Sequence, residues 1–308
     1  MVKSLYVMSD THDDLEAVAR AVDFARSEGK PGSRIVHVGD LALRPYIKAD
    51  LDAVVKSKDI QSFVKAIRSR TQQVHDSYKR VLRSSGMPFT VIPGNYDCSL
   101  TQSFGEADIH NRAVDWNGIR VVGYGAGGNL DEEWIGPGHM QPVFQLGQIQ
   151  KFNPLELKAL LEDNNPAIAV IHNPPYGLCD DMYDGQHVGT PTSRKHIEQS
   201  EGLKLVLSGH IHEAGPNGNN SNGVKGISGI DKGNGNRTIV INPGNLGRFG
   251  ILNPQTLDPA KEFDYGTFVR VDIEEDGTPL RIKQYSVQES GRQIGQVREI
   301  GDFNLKPA

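Results

Sequence analysis

A chain of 308 residues with 37% hydrophobic and 23% charged side chains carries enough apolar material for a sizeable core, which excludes disorder and a fibrous role as overall descriptions. A formal charge of −5, from 33 basic and 38 acidic residues, excludes a broad electrostatic grip on nucleic acid or anionic lipid. Cys98 and Cys179 are the only cysteines, so neither a disulfide framework nor a thiolate zinc site is expected, and a reducing compartment is.

The amino terminus runs straight into Leu5-Tyr6-Val7-Met8 without the zones of a signal peptide, and no apolar run reaches the roughly 18 to 20 residues of a membrane span. A cytoplasmic protein is expected. Ser4 to Met8 reads as a buried strand ending in a turn, and Asp14 to Ser27 as a helix whose apolar face holds Leu15, Val18, Ala19 and Val22. Arg34 to Val38 is the next strand. From Ala49 to Ser84 apolar residues recur at three- and four-residue steps, predicting one or two amphipathic helices, a helical insertion at about 45–86.

Further strands are expected at Phe89 to Ile92, Ile119 to Val122, Ala167 to Ile171, Leu203 to Leu207 and Thr238 to Ile241, with helices at Asn153 to Glu162 and Ser193 to Ser200. Gly, Asn, Ser and Lys dominate Gly215 to Asn236, which reads as a flexible loop. Thr267 to Ile273 and Leu280 to Val287 flank Asp276-Gly277, a hairpin signal. Strands alternating with helices and then a terminal hairpin predict an α/β sandwich, read as a single domain over 1–308.

The chemistry gathers just after predicted strands: Asp10-Thr11-His12, Gly39-Asp40, Gly94-Asn95-Tyr96-Asp97, His172-Asn173 and Gly209-His210-Ile211-His212. Strand carboxyl ends are where α/β folds collect functional side chains, so all five can meet on one rim. Each alone has a bland reading: an Asp after a strand usually caps a helix, and a lone His usually packs or sits on the surface. Together they supply two Asp, one Asn and four His, a mixed oxygen and imidazole set suited to two divalent cations such as Mn²⁺, Fe²⁺ or Zn²⁺. In an extended strand exit, residues i and i+2 point to one side, so Asp10 with His12, and His210 with His212, reach toward one region. Glycine before Asp40, Asn95 and His210 permits close backbone approach. Asp40 can bridge two ions roughly 3.5 to 4 Å apart, while the neutral Asn95 amide adds a ligand without charge.

The ordered set Asp-x-His, Gly-Asp, Gly-Asn-x-Asp, His and Gly-His-x-His resembles the calcineurin-like metallophosphoesterase superfamily, across Asp10 to His212. Val36-His37-Val38-Gly39-Asp40, His172-Asn173-Pro174-Pro175, His187-Val188-Gly189 and Asn242-Pro243-Gly244 further resemble its small prokaryotic predicted phosphoesterases. The resemblance implies a four-layer α-β-β-α sandwich of the metallo-dependent phosphatase type. It also implies that Asp10, His12, Asp40 and His212 hold one metal ion, and Asp40, Asn95, His172 and His210 the other, with Mn²⁺ the expected metal.

One departure concerns catalysis. Many members read Gly-Asn-His-Asp, where the His, paired with the Asp, stabilises the phosphate and protonates the leaving group. Here that position is Tyr96, beside Asp97. A phenol with a reference pKa near 10 is a poorer general acid than imidazole, which favours phosphodiesters or activated esters. Catalysis is expected from Asp40, Asn95, Tyr96 and Asp97, and phosphate binding from Asn95, Tyr96, His187 and Arg194, a forked Arg matching phosphate geometry.

His37 reads as a core or supporting residue. His75, His110, His139, His196, Trp116 and Trp134 read as structural. Gly123-x-Gly125-x-x-Gly128 lacks the helix of a dinucleotide fingerprint and reads as a loop bordering the site. The expected activity is hydrolysis of a small phosphorylated substrate by metal-activated hydroxide, more specifically of a phosphodiester. The alternative is a scaffold that has kept the fold and lost the chemistry. Neither nucleic acid nor membrane is an expected partner.

Overall fold

The computed structural model describes residues 3–42, 48–127, 152–216, 218, 223–232, 235–252, 259–262, 265–290 and 293–305. Two six-stranded sheets organise these residues. The first has the order β14 (Gln293–Asn304), β13 (Pro279–Ser290), β12 (Tyr265–Ile273), β1 (Lys3–Met8), β2 (Arg34–His37) and β3 (Phe89–Val91). The second runs β4 (Arg112–Asp115), β5 (Arg120–Tyr124), β6 (Ile168–Ile171), β7 (Leu205–Leu207), β9 (Arg237–Ile241) and β8 (Ile227–Asp231). β10 (Phe249–Leu252) and β11 (Pro259–Glu262) form a separate pair. Strands β1, β2 and β3 are parallel, as are β5, β6, β7 and β9.

The layers follow from strand alternation. Leu5 and Val7 of β1 face inward, joining Val36, Val269, Val121, Val170, Leu207 and Ile241 in one apolar layer between the sheets. Tyr6 and Met8 face the other way, onto Val18 and Val22 of α1 (Leu15–Glu28) and Tyr78 and Leu82 of α3 (Ile60–Ser84). On the far side Ala169, Val206 and Val240 pack under Leu157 and Leu161 of α5 (Pro154–Asn164) and Ile197 of α6 (Pro191–Gln199). Helix, sheet, sheet, helix is the expected four-layer sandwich.

The long helical stretch divides into α2 (Lys48–Ser57) and α3, because Lys58 turns left-handed at φ 58° and Asp59 caps α3 by accepting from Ser62 N–H at 3.0 Å. Residues 45–47 of the expected insertion lie outside the described residues. A short helix, α4 (Thr101–Phe104), follows β3. Two expectations need correction. Within the stretch read as a loop, β8 pairs antiparallel with β9, from Ile227 opposite Ile241 to Asp231 opposite Arg237. The carboxyl-terminal hairpin is extended by a third strand, β14.

Candidate metal centre

Asp10 and His12 follow β1, Asp40 follows β2, Asn95 to Asp97 follow β3, His172 follows β6, and His210 and His212 follow β7. Parallel pairing puts the carboxyl ends of each set of strands on one rim. Bonds between the sheets join the two rims: His210 N–H donates to Asp10 Oδ2 at 3.0 Å, and Leu246 N–H to the Ser9 carbonyl at 2.9 Å.

The side chains converge as two groups. Donor atoms of Asp10, His12 and His212 lie within 4.8 Å of one another, as do those of Asp40, His172 and His210. In the first group the facing Nε2 atoms of His12 and His212 are 3.3 Å apart, and His212 Nε2 is 3.2 Å from Asp10 Oδ1. In the second, Asn95 Oδ1 stands 2.9 Å from His210 Nδ1 and 3.1 Å from His172 Nε2, which is 3.5 Å from Asp40 Oδ2. His210 is half-buried and the other six are buried.

The route to convergence differs from the expected extended exit. Asp10, His12, Asp40 and His210 take left-handed backbone conformations, with φ of 50°, 44°, 51° and 67°. Such φ values are strained for residues with a Cβ and persist where surrounding structure imposes them. Here Asp10 N–H donates to the Gly39 carbonyl, and the N–H groups of Thr11 and His12 donate to the Asp40 carbonyl, holding two ligand loops together. His210 and His212 also part company, each serving a different group.

His172 tests whether a cation fits. Its Nδ1 lies 2.7 Å from the Val38 carbonyl, which only accepts, so Nδ1 carries the proton. A neutral ring in this orientation would aim its Nε2 lone pair at two further acceptors, Asn95 Oδ1 and Asp40 Oδ2. Lone pair against lone pair is repulsive unless a proton or a cation lies between them, and a carbonyl on the second ring nitrogen is how metal-ligating histidines are held. The residues fit a divalent ion.

The charges point the same way. Burial disfavours protonated His172, but the neighbouring Asp40 carboxylate overcomes it and moves the ring up to about 9. Burial likewise opposes protonated His212, and Asp10 more than offsets it, so that ring is also raised. The Asp10 carboxyl, despite burial, is held well below the usual range by the His212 ring and the charges of His212, His172 and His12. Their companions move oppositely: burial lowers His12, and takes His210 down to about 3. Each group thus sets beside its carboxylate one ring shifted toward its charged form, His172 or His212, and one shifted away from it, His210 or His12, and a cation would supply the positive charge that the raised ring supplies here.

Two glycines make the approach of the loops possible. Gly39 has φ 107°, and a Cβ there would lie 2.4 Å from His172 Nδ1. At Gly94 a Cβ would lie 2.0 Å from Asp40 Oδ1 and 2.3 Å from Asp40 N. Of the stretch read as a bordering loop, Gly123 belongs to β5, paired with Arg112 and Val170, whereas Gly127 stands close to both Asn95 and His210, and Gly128 and the residues to 151 lie outside the described residues. His37, fully buried and lowered to about 4 by burial, accepts from Gly39 N–H and lies 3.0 Å from Thr11 Oγ1. It supports the loops.

The remaining candidates are placed differently. Tyr96 N–H donates to Asp40 Oδ1 at 2.9 Å, and its ring meets that of His12 edge-on, 6.0 Å between centroids. Asp97 is fully buried, with both oxygens accepting from backbone N–H groups of the ligand loops. Arg194 Nε pairs with Glu198 at 2.7 Å on α6, the ordinary surface role of such a residue. His187 Nδ1 lies 2.8 Å from Asp180 Oδ1 and 3.6 Å from Asp181 Oδ1, and its ring meets Tyr176.

That last cluster is a third group of metal-capable donors which the sequence reading missed, although adjacent Asp180 and Asp181 near His187 were its signal. Asp180 Oδ2 accepts from Gly177 and Gly189 N–H at 2.9 and 2.8 Å, bracing the loop between β6 and α6. His75 and His110 pack against Phe104 and Tyr124, His196 is half-buried and lines a surface cleft with Lys158 and Glu162, Trp116 is core, and His139 and Trp134 lie outside the described residues.

Comparison with solved structures finds TT1561 of Thermus thermophilus, 18% identical at a TM-score of 0.51, covering 84% of this chain and 97% of that one. A dimetal phosphatase from Danio rerio is 11% identical at a TM-score of 0.50, covering 98% and 99%. At such identities the likeness shows the fold. A search of curated proteins finds no match. The family model for calcineurin-like phosphoesterases matches residues 3–214, a span that contains both ligand groups. The chain therefore belongs to the calcineurin-like phosphoesterase family.

Proposed function

We propose that the protein is a dinuclear-metal phosphodiesterase acting on a small phosphorylated substrate. The observation that carries this reading is the pair of adjacent donor groups, with His172 locked by Val38 so that its free nitrogen faces Asn95 and Asp40. Asp10, His12 and His212 would hold one cation, Asn95, His172 and His210 the other, and Asp40 would bridge, with Mn²⁺ the proposed metal. Bound, the two ions supply a water of lowered pKa and a positive field for the phosphoryl oxygens. Two carboxylates against two divalent ions leave the centre net positive, which selects an anion.

The chain's own contribution is orientation. Asn95 presents a neutral oxygen, and its other amide atom can donate to a phosphate oxygen. Tyr96 stands beside His12 where related chains carry the histidine that protonates the leaving group. A phenol supplies that proton poorly near neutral pH, which favours diesters with stable leaving anions.

The test loads metal-free protein with Mn²⁺ and offers bis(p-nitrophenyl) phosphate. Hydrolysis is expected for the wild type, with loss in Asp40→Asn and His172→Ala. Activity no greater than in those variants, despite bound metal, refutes the proposal. The scaffold reading rests on Tyr96 alone. Elemental analysis separates the two, because a scaffold that has lost the chemistry takes up no Mn²⁺ and still binds a partner protein.

A further inference from the structure

Asp97 is fully buried, yet it presents no oxygen to either donor group. Its Oδ2 accepts from Leu41 N–H at 3.1 Å and Gly94 N–H at 2.8 Å, and its Oδ1 from Ala42 N–H at 3.1 Å. Leu41 and Ala42 directly follow Asp40, and Gly94 directly precedes Asn95. One carboxylate thus grips both loops, the one leaving β2 and the one leaving β3, immediately beside the ligand each carries. Burying a charge is costly without compensation, and three N–H donors provide it. The fit is specific to a carboxylate. An amide has one acceptor oxygen, and its NH₂ would confront a backbone N–H on the other side.

The same place is closed from behind by α3. His75, 1% exposed, directs Nε2 toward Asp97 Oδ1 from 3.9 Å, and its Nδ1 lies 3.4 Å from Ser103 Oγ. Phe104 packs against the His75 ring, with centroids 5.9 Å apart. Asp97 therefore sits between the ligand loops and the helical layer, shut away from any substrate.

We propose that Asp97 is a positioning residue which sets the separation of Asp40 and Asn95, and through them the affinity of the second cation site. It acts as a clamp preformed in the metal-free protein. This rests on the two-cation reading above. Partners one step removed from a metal commonly change its affinity about 10- to 100-fold, and a loss of that size is expected here.

The experiment measures Mn²⁺ binding by calorimetry, together with thermal midpoints, for the wild type, Asp97→Asn and Asp272→Asn. Asp272 is the control: a buried carboxylate that accepts from Ser4 and Arg270, toward the other end of β1 from Asp10. Both variants should melt lower, but only Asp97→Asn should lose Mn²⁺ affinity, by roughly 10-fold or more and most at the site that Asp40 and Asn95 share. Wild-type affinity in a destabilised Asp97→Asn overturns the proposal.

A second measurement needs no variant. Amide exchange of Leu41, Ala42 and Gly94 in the metal-free wild type should be roughly 100-fold slower than in an unstructured chain. Fast exchange that slows only when Mn²⁺ is added also overturns the clamp. If the wild type takes up no Mn²⁺ at all, the metal reading fails, and the three amide rates alone decide whether the clamp exists.

Discussion

Replacing Gly94 with alanine perturbs the centre by a single methyl group. The position has no positive φ, so alanine can adopt the backbone and the cost lies in space. The new Cβ would lie 2.0 Å from Asp40 Oδ1 and 2.4 Å from its Cγ, whereas real Cβ contacts essentially never fall below 3.0 Å. The carboxylate must therefore withdraw by about 1 Å, the difference of those distances. Because Asp40 N is also only 2.3 Å away, the backbone must move with it. Metal–ligand distances tolerate only about ±0.2 Å, so a bridging carboxylate displaced this far leaves both ions. Overpacking of this kind costs about 1–3 kcal/mol in stability. We expect Gly94→Ala to stay folded, to melt several degrees lower, and to lose Mn²⁺ affinity at both sites by about 100-fold, the upper end for perturbed metal sites. Gly202→Ala is the control, since its Cβ would meet the Asn165 side chain at 2.9 Å, the far end of a side chain that can swing away. Calorimetric titration with Mn²⁺ reads the result. Two ions bound by Gly94→Ala with wild-type affinity would show that Asp40 is no ligand.

Three further outcomes follow from the same geometry. Tyr96→His should raise hydrolysis of an alkyl phosphodiester relative to bis(p-nitrophenyl) phosphate by roughly 100-fold, the lower end for a general acid, measured as the ratio of the two kcat/KM values. In metal-free protein, His172 at about 9 against an ordinary 6.5 contributes stability that is fully present below pH 6.5 and lost as pH rises through 9. Its thermal midpoint should thus fall over that window, and saturating Mn²⁺ should remove the fall by taking the proton's place. Asn242→Ala should cost about 1–3 kcal/mol by denaturant titration, because it strips Nδ2 from the Ile211 carbonyl at 2.9 Å and Oδ1 from Gly244 N–H at 2.9 Å in a buried setting.

The convergence of the candidate donors was legible because each member follows a buried apolar strand and several carry an adjacent glycine, a local pattern that survives without knowledge of pairing. The left-handed turns at Asp10 and His12 were not, since Asp-x-His carries no mark of its φ. The split of His210 from His212 came from family resemblance, because alternation alone assigns them to one side. β14 escaped notice because Ile294, Val297, Ile300 and Phe303 recur every three residues rather than every two. The bulges against β13, at Gln284/Tyr285 and Val287/Glu289, account for that broken alternation. β8 was hidden by composition: Ile227 and Ile230 flank Ser228 and Gly229 in a stretch dominated by Gly and Asn. Arg194, read as suited to phosphate, is engaged by Glu198 one turn along its helix, a local pairing that the residue type alone does not reveal.

The spacing of the donors along the chain bears on biosynthesis. A nascent polypeptide has Asp10, His12, Asp40 and Asn95 long before His172, His210 and His212 have left the ribosome, and each donor group needs members from both stretches. Even then β1 lacks one neighbour, because β12 pairs with it only after residue 265 has been made. Neither donor group is therefore complete until the chain has been made through His210 and His212, so on the two-cation reading full occupancy of the centre would come late in synthesis.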